Sequence, residues 1–329
     1  MKRPVIEERR GFAGARRALG GVGGHVGAPH VVIILLALAA LAPLPLLVPR
    51  DDVVNSVLLI LLSITLAQSW NIVAGYAGQV NLGHAAFFGL GALVTRTLWI
   101  GGTPVGLAMM AGALVAALFA LLIGVAAFRL RGAYFAIGTL ALGEILRSTV
   151  NNVLPEISTL PTATIGAYRL AHRDYLALGL AAVSVVAVAA LGASRLGLGM
   201  RAIREDEEAA EAAGVNALSL KLSALALSTG LAALAGGVFA YYHISYYPSH
   251  PFSPHWTFDA LLITYIGGVG TLHGPVLGAV LYVLLKEYLA ERWVDFHLLI
   301  FGVLFIAIVL LLPGGLVQAA ARARRLLAR

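Results

Sequence analysis

The chain has 329 residues, of which 60% are apolar and 12% charged, and its mean hydropathy is +0.88. Soluble domains run at about 45–50% apolar and about 25% charged, so a soluble fold and a disordered chain are both excluded. The formal charge of +7 points to basic loops beside a membrane before it points to nucleic acid, and the absence of cysteine removes disulfide frameworks, thiolate metal sites and cysteine nucleophiles.

Residues 1–30 are polar, glycine-rich and basic, with Lys2, Arg3, Arg9, Arg10, Arg16 and Arg17. The apolar run that follows leads straight into Pro43, Pro45 and Pro49, so the stretch is expected as a disordered cytoplasmic tail, not a cleaved signal. Ten apolar segments come next, at about residues 31–49, 53–74, 80–98, 104–127, 133–150, 175–193, 218–242, 257–267, 275–290 and 297–313. A straight crossing needs about 20 residues. The eighth segment is too short and ends in Gly267-Gly268-Val269-Gly270, so it is expected as a half-helix or as one arm of a re-entrant pair with the ninth.

The expected fold is all-α, a polytopic membrane bundle of about eight to ten crossings, with a membrane domain over 31–317 and a basic cytoplasmic C-terminal tail over 318–329. With the N-terminus inside, ten crossings put 16 of the 23 Lys and Arg residues on the inner side. The other seven, Arg50, Arg96, Arg147, Arg169, Arg173, Lys286 and Arg292, fall outside or near outer ends. An eight-crossing reading keeps most loops on the same side. The helices are rich in Ala, Gly, Ser and Thr, the composition of a close-packed bundle with an internal path.

Polar groups inside apolar segments usually face the bundle interior. Gln68, Asn71, Gln79, Asn81, His84 and Thr139 are candidates of this kind, either lining a translocation path or bonding helix to helix. Glu144 and Arg147 lie three apart on one helix face and can pair. They are read as a self-neutralising pair or as a path contact, with Glu144 the acid taken to be embedded in the membrane. His243, His250 and His255 lie among Tyr241, Tyr242, Tyr246, Tyr247 and Trp256 without metal-ligand spacing, which suits an aromatic belt or a docking surface. Gly267 to Pro275 lacks the lysine of a phosphate loop, and no catalytic constellation stands out.

The polar stretch between the sixth and seventh segments, about 195–217, is the most informative. Asp206 can cap a helix whose first turn carries Glu207 and Glu208, and Gly214 is placed to end it. Such a helix, with an alanine surface and a charged rim, fits a groove in another protein or lies as a solvated amphipathic loop.

Glu208-Ala209-Ala210 followed by Gly214 resembles the coupling loop of ABC importer permeases. The stretch Gly75-Tyr76-Ala77-Gly78-Gln79-Val80-Asn81-Leu82-Gly83-His84-Ala85-Ala86-Phe87-Phe88-Gly89-Leu90-Gly91 is similar to the signature of branched-chain amino-acid permeases. So are Arg131-Gly132-Ala133-Tyr134-Phe135-Ala136-Ile137-Gly138-Thr139-Leu140-Ala141, Gly267-Gly268-Val269-Gly270-Thr271-Leu272-His273-Gly274-Pro275 and Pro313-Gly314-Gly315-Leu316. The resemblance runs from about residue 53 to 317 and is nearest to the M-type subunit. After Asn151-Asn152 the chain departs from the M-type pattern of a Thr-Gly-Gly-x-Asn-Gly-like loop and reads Glu156-Ile157-Ser158-Thr159-Leu160-Pro161.

The resemblance implies the permease subunit of an ATP-driven importer of branched-chain or hydrophobic amino acids in a bacterial inner membrane. It implies a second permease enclosing the path, two cytoplasmic ABC ATPases, a periplasmic amino-acid-binding protein, and contact with membrane lipid but not nucleic acid. ATP and Mg would sit on the ATPases, with no cofactor or metal on this chain and no enzymatic activity of its own. Arg201, Arg204, Asp206, Glu207, Glu208, Ala209, Ala210, Glu211 and Gly214 would couple the permease to the ATPases. The rival readings are the same machine with a different cargo (urea, amides or a sugar) and, from another class, a stand-alone secondary transporter.

Overall fold

The computed structural model describes residues 28–47, 51–162, 170–292 and 314–327, together with 300, 302, 303 and 306. Residues 1–27 of the tail expected over 1–30 and most of the last apolar segment lie outside the described residues, while the last three residues of that stretch, 28–30, are helical instead. The first apolar segment does not form one span. It makes two short helices, α1 (Ala28–Ala39) and α2 (Leu44–Leu47), on either side of Pro43. Proline has no amide to continue a helix. The 12 residues of α1 reach about 18 Å at the usual helical rise, short of the ~30 Å hydrocarbon core.

Long helices follow. They are α3 (Asp51–Asn71, prolonged by a π-helical turn at Ile72–Tyr76), α4 (His84–Ile100), α5 (Val105–Ala127), α6 (Ala133–Val153) and α7 (Leu170–Ala193). Two short helices, α8 (Arg195–Glu205) and α9 (Glu207–Ala212), form an arm before α10 (Ala217–Tyr242). The chain ends in α11 (His255–Gly267), α12 (His273–Arg292) and α13 (Gly315–Leu327). The stretch expected as a basic C-terminal tail is therefore helical to Leu327. The protein is an all-α multi-pass bundle. Among the described residues, the helices over 52–76, 105–127, 172–193 and 217–242 are long and apolar enough to cross a membrane.

The core forms around α10, which packs on α3, α4 and α5. Glycines bring α4 and α10 into backbone contact: a Cβ on Gly91 would lie 2.1 Å from the Ala233 carbonyl oxygen, and one on Gly236 would lie 1.9 Å from that of Phe88. Trp70, Phe87, Phe88 and Phe239 are among the largest side chains buried in this core, and the Phe88 and Phe239 rings meet across α4 and α10 at 5.6 Å. The eighth segment is short, as its sequence suggests: α11 has 13 residues, stops at Gly268 with φ +129, and folds back on α12. There a Cβ on Gly278 would meet the Ile263 carbonyl at 2.1 Å. By contrast α6 touches its neighbours along a single stripe, Phe135, Thr139, Gly143 and Val150, and leaves the rest of its surface open.

At the end of the bundle far from the arm, β1 (Ser158–Thr159) pairs antiparallel with β2 (Ser245–Tyr246). Arg96 holds them to α4. Its Nε donates to Ser158 Oγ (3.1 Å), its Nη1 to the Ala240 and His243 carbonyls (3.2 and 3.0 Å), and its Nη2 to the Ser158 and Ile244 carbonyls (2.9 and 2.5 Å). All the guanidinium donors are used, which is what a charge that is only 2% exposed requires. The rings of Tyr246 and Trp99 lie 5.2 and 5.8 Å away.

His243 and His250 belong to the same far-end cluster, their rings 4.2 and 5.7 Å from Phe239. Burial pulls both below the ordinary histidine value of 6.5; at His243 a hydrogen bond with the Phe239 carbonyl opposes this in part, and the neighbouring positive groups add to the lowering at both. A histidine held neutral in the folded loop favours folding above the unfolded value and loses that contribution as the pH falls below it. The loop is therefore expected to hold from neutral pH down to about 6.5 and to loosen below that. The fluorescence of Trp256, stacked on Phe88 at 4.7 Å, should be flat above that pH and change beneath it. A flat profile to pH 5 (on the order of 1.5 units lower) would contradict the assignment.

Candidate functional site

The arm is built from local signals. Ser194 starts α8 by accepting from the Gly197 amide (3.1 Å), Asp206 starts α9 by accepting from Ala209 (3.0 Å), and Asn216 starts α10 by accepting from Ser219 (3.0 Å). Helix α9 ends in a Schellman turn: Val215 N–H donates to the Ala210 carbonyl (3.0 Å) and Gly214 N–H to that of Glu211 (2.9 Å), with Gly214 at φ +88. Glu207 is drawn inward, both its oxygens 2.6 Å from Lys221 Nζ. Ala210 is buried, whereas Glu208, Ala209, Glu211, Ala212, Ala213 and Gly214 are exposed. The result is a short, well-anchored helix that presents small residues flanked by carboxylates. Arg131 comes within 4.0 Å of Glu208, but both side chains are about three-quarters or more solvated (74% and 88%), so this pair adds little.

Two of the three arginines of α8 turn back onto the bundle, Arg201 half-buried and Arg204 still exposed. Arg201 donates to the Gly192 carbonyl at the end of α7 (2.5 Å) and to that of Gly197 (3.2 Å), with its guanidinium 6.0 Å from the Tyr76 ring centroid. Arg204 Nη1 donates to the Gly75 carbonyl in the π-helical turn. Helix C-termini carry unpaired carbonyls and the negative end of the helix dipole, so a guanidinium is the natural plug.

The polar residues of the second and third segments gather just above that turn. Asn71 Nδ2 donates to the Thr271 carbonyl (2.9 Å) while its Oδ1 accepts from Gly270 N–H (2.8 Å), and Gln68 Nε2 donates to the Leu272 carbonyl (2.7 Å). Asn81 Oδ1 accepts from Gly83 N–H (2.9 Å), and Trp70 Nε1 donates to the Asn81 carbonyl (2.9 Å). His84 Nε2 and Ser69 Oγ are 2.8 Å apart, and Thr139 Oγ1 accepts from Leu82 N–H (3.1 Å). Gln68, Asn71, Asn81, His84 and Thr139 are all buried inside this one chain and spend these groups on its own backbone or side chains, whereas Gln79 lies half-buried in the turn below. Glu144 and Arg147 stand apart. They form the expected pair (Nη2 to Oε1 2.5 Å, Nε to Oε2 2.9 Å), yet lie on the open face of α6 with side chains 48% and 43% exposed.

A family model described as the branched-chain amino acid transport system permease component matches residues 53–309, a range that takes in the arm and every one of these polar groups. The chain belongs to this permease family. It is 26% identical over 350 aligned residues to the high-affinity branched-chain amino acid transport system permease protein LivM of Escherichia coli (strain K12), covering 96% of this chain and 81% of that protein. The corresponding LivM of Salmonella typhimurium (strain LT2) is 27% identical over 318 residues, covering 86% and 74%. A probable LivM of Methanocaldococcus jannaschii is 28% identical over a shorter stretch of 133 residues, covering 36% and 38%. No solved structure matches the chain at a significant level.

This permease also carries a charged cluster around the buried Asp259, so Glu144 is not the one acid set within the apolar segments. Asp259 on α11 is 9% exposed. Its Oδ1 accepts from the Tyr282 hydroxyl, and its Oδ2 lies 3.1 Å from Lys286 Nζ and 3.5 Å from His255 Nε2. An acid in the eighth segment and a lysine in the ninth were the available signal. The partners, 23 and 27 residues on, meet because α11 and α12 fold back on each other.

Proposed function

We propose that this chain is the M-type permease subunit of an ATP-driven importer of branched-chain and other hydrophobic amino acids in a bacterial inner membrane. A second, similar permease completes the translocation path. Two cytoplasmic ABC ATPases hold and hydrolyse ATP with Mg, and a periplasmic amino-acid-binding protein delivers the cargo. The carrying observation is the anchored α9 helix with its exposed Ala-Glu face, set inside a chain of a permease-component family. The cargo follows the names of the relatives, LivM proteins of branched-chain amino-acid systems. In this reading Asp206 and Gly214 shape the arm, Glu208, Ala209, Glu211 and their neighbours meet the ATPase, and the arm's end of the bundle is cytoplasmic.

The path is assigned to the open face of α6. Two charges facing hydrocarbon cost about 2.5–3.5 kcal/mol each even on permissive insertion scales, so Glu144 and Arg147 need a partner surface or water over them. A water-filled seam between two permeases supplies both. Gln68, Asn71, Asn81, His84 and Thr139 hold the wall behind it.

The test is uptake into proteoliposomes containing this chain, its companion permease and the ATPases, with the binding protein added outside. Branched-chain amino acids should accumulate only when ATP reaches the ATPases. Movement by this chain alone would favour a secondary transporter, whereas ATP-driven uptake of urea, amides or a sugar would keep the machine and change the cargo. In the same assay Glu144→Gln should lower uptake by roughly tenfold, an effect of about 1.4 kcal/mol, with the protein level unchanged. Loss of the protein from the membrane would make the pair structural.

A further inference from the structure

Two separate stretches of the chain are shaped around one side chain. Arg204 reaches 129 residues back along the sequence to the Gly75 carbonyl, at the open end of α3. The turn after α3 leaves room for it: Gly78 sits at φ +71, and a Cβ there would come within 3.0 Å of Arg204 Cγ. The loop between α11 and α12 leaves room as well: Gly270 sits at φ +78, and a Cβ there would lie 2.4 Å from Arg204 Nη1 and 3.0 Å from the Gly75 carbonyl oxygen. An L residue at either glycine meets a disfavoured backbone conformation and crowds Arg204, its aliphatic stem at Gly78 and its guanidinium at Gly270. Asn71 and Gln68 then tie α3 to the same loop through the Thr271, Gly270 and Leu272 backbone groups.

We propose that Arg204 is the pin through which the arm moves the membrane helices, locking α8 to the end of α3 and, across Gly270, to the α11–α12 loop. This rests on reading the exposed face of α9 as the grip of separate ATPases. Arg201, one turn earlier on the same face of α8, fixes the arm to α7, its neighbour in sequence. Arg201 also approaches the Tyr76 ring, and Arg204 supplies the hydrogen bond to the π-helical turn. A push on α9 therefore reaches α3 and the α11–α12 loop as one body, and from α3 it passes to α4 and α6 through the bonds of His84 with Ser69 and of Leu82 with Thr139. Arg204 is a positioning residue and touches neither cargo nor ATP.

The assembled transporter tests this with Arg204→Gln, Arg204→Lys and Gly270→Ala. In Arg204→Gln the ATPases should still co-purify in wild-type proportion, while the amount of amino acid moved per ATP hydrolysed falls about tenfold, the scale of one lost charge-assisted hydrogen bond. Arg204→Lys, which keeps the charge and a donor, should recover part of the loss. Gly270→Ala, 66 residues along the chain from Arg204, should reproduce it. Detachment of the ATPases in Arg204→Gln would place the residue in the grip and overturn the pin, as would an unchanged coupling ratio. Should these variants fail to accumulate, the otherwise wild-type chain decides. It has no cysteine, so spin labels at Val80→Cys and Ala202→Cys, both exposed and the second on α8 away from the α9 face, report the separation of turn and arm. A separation that stays fixed when ATP binds supports the pin, and one that changes overturns it. A wild-type chain that binds no ATPase at all is a different failure, that of the importer reading itself.

Discussion

A Gly214→Arg chain is expected to reach the membrane in normal amount and to show uptake at background level. At φ +88 the backbone of Gly214 lies where an L residue costs about 1–2 kcal/mol. A Cβ there meets nothing within 4 Å, so the substitution strains the turn without clashing with the rest of the chain. The bonds that fix the arm to the bundle, Glu207 to Lys221 and Arg201 to the Gly192 carbonyl, lie elsewhere and remain. What changes is the exposed face, where a long cation enters beside Glu211 and Ala213 and the end of α9 unwinds. Membrane level, ATPase co-purification and labelled amino-acid uptake are the measurements. Gly214→Ala, which carries the strain without the bulk, should fall between wild type and Gly214→Arg. Wild-type uptake by Gly214→Arg with the ATPases attached would remove α9 from the coupling role.

Gly236→Val is expected to fail earlier, by loss of the folded protein. Its Cβ would lie 1.9 Å from the Phe88 carbonyl oxygen and 2.9 Å from the Ala92 amide nitrogen. Both are backbone atoms within α4, so no side chain can swing aside and the two helices must part. Overpacking of this kind costs about 1–3 kcal/mol where side chains adjust, and more where they cannot. Gly91→Val strikes the same crossing from the opposite helix, at 2.1 Å from the Ala233 carbonyl, and should be as damaging. Gly230, on the same α10, has open space around its Cβ position. Gly230→Ala should therefore be neutral or stabilising, by up to about 1 kcal/mol of helix propensity. Thermal denaturation in detergent separates the three, and equal stability of Gly236→Val and Gly230→Ala would refute the close crossing.

What could be read from the sequence was local. Asp206, Gly214 and the three-residue spacing of Glu144 and Arg147 each act through neighbours within a turn or two, and the structure places a cap, a C-terminal turn and an ion pair where that chemistry put them. The prolines of the first segment are visible in the sequence too, and the missing amide at Pro43 splits what its apolar length alone suggests is one span. What stayed hidden was long-range. Nothing near Arg204 in sequence announces Gly75, and nothing near Gln68 announces Leu272. Whether Gln68 and Asn71 faced a path or a neighbour depended on where the α11–α12 loop came to rest. Asp259 carries no local signal for the same reason, because its partners Tyr282 and Lys286 belong to the next helix.

The π-helical turn at Ile72–Tyr76 has a consequence for how this stretch can drift over evolutionary time. Each residue of a helix turns the chain by about 100°. Gln68 and Asn71 face the α11–α12 loop on one side of the wide turn, and Gly75 offers its carbonyl to Arg204 at the other end of it. Deleting one residue in between would restore ordinary helical pairing but swing the two ends out of register, so that both sets of bonds could not form together. Many side-chain exchanges would leave that register untouched. Length, more than composition, is the quantity this segment has to conserve.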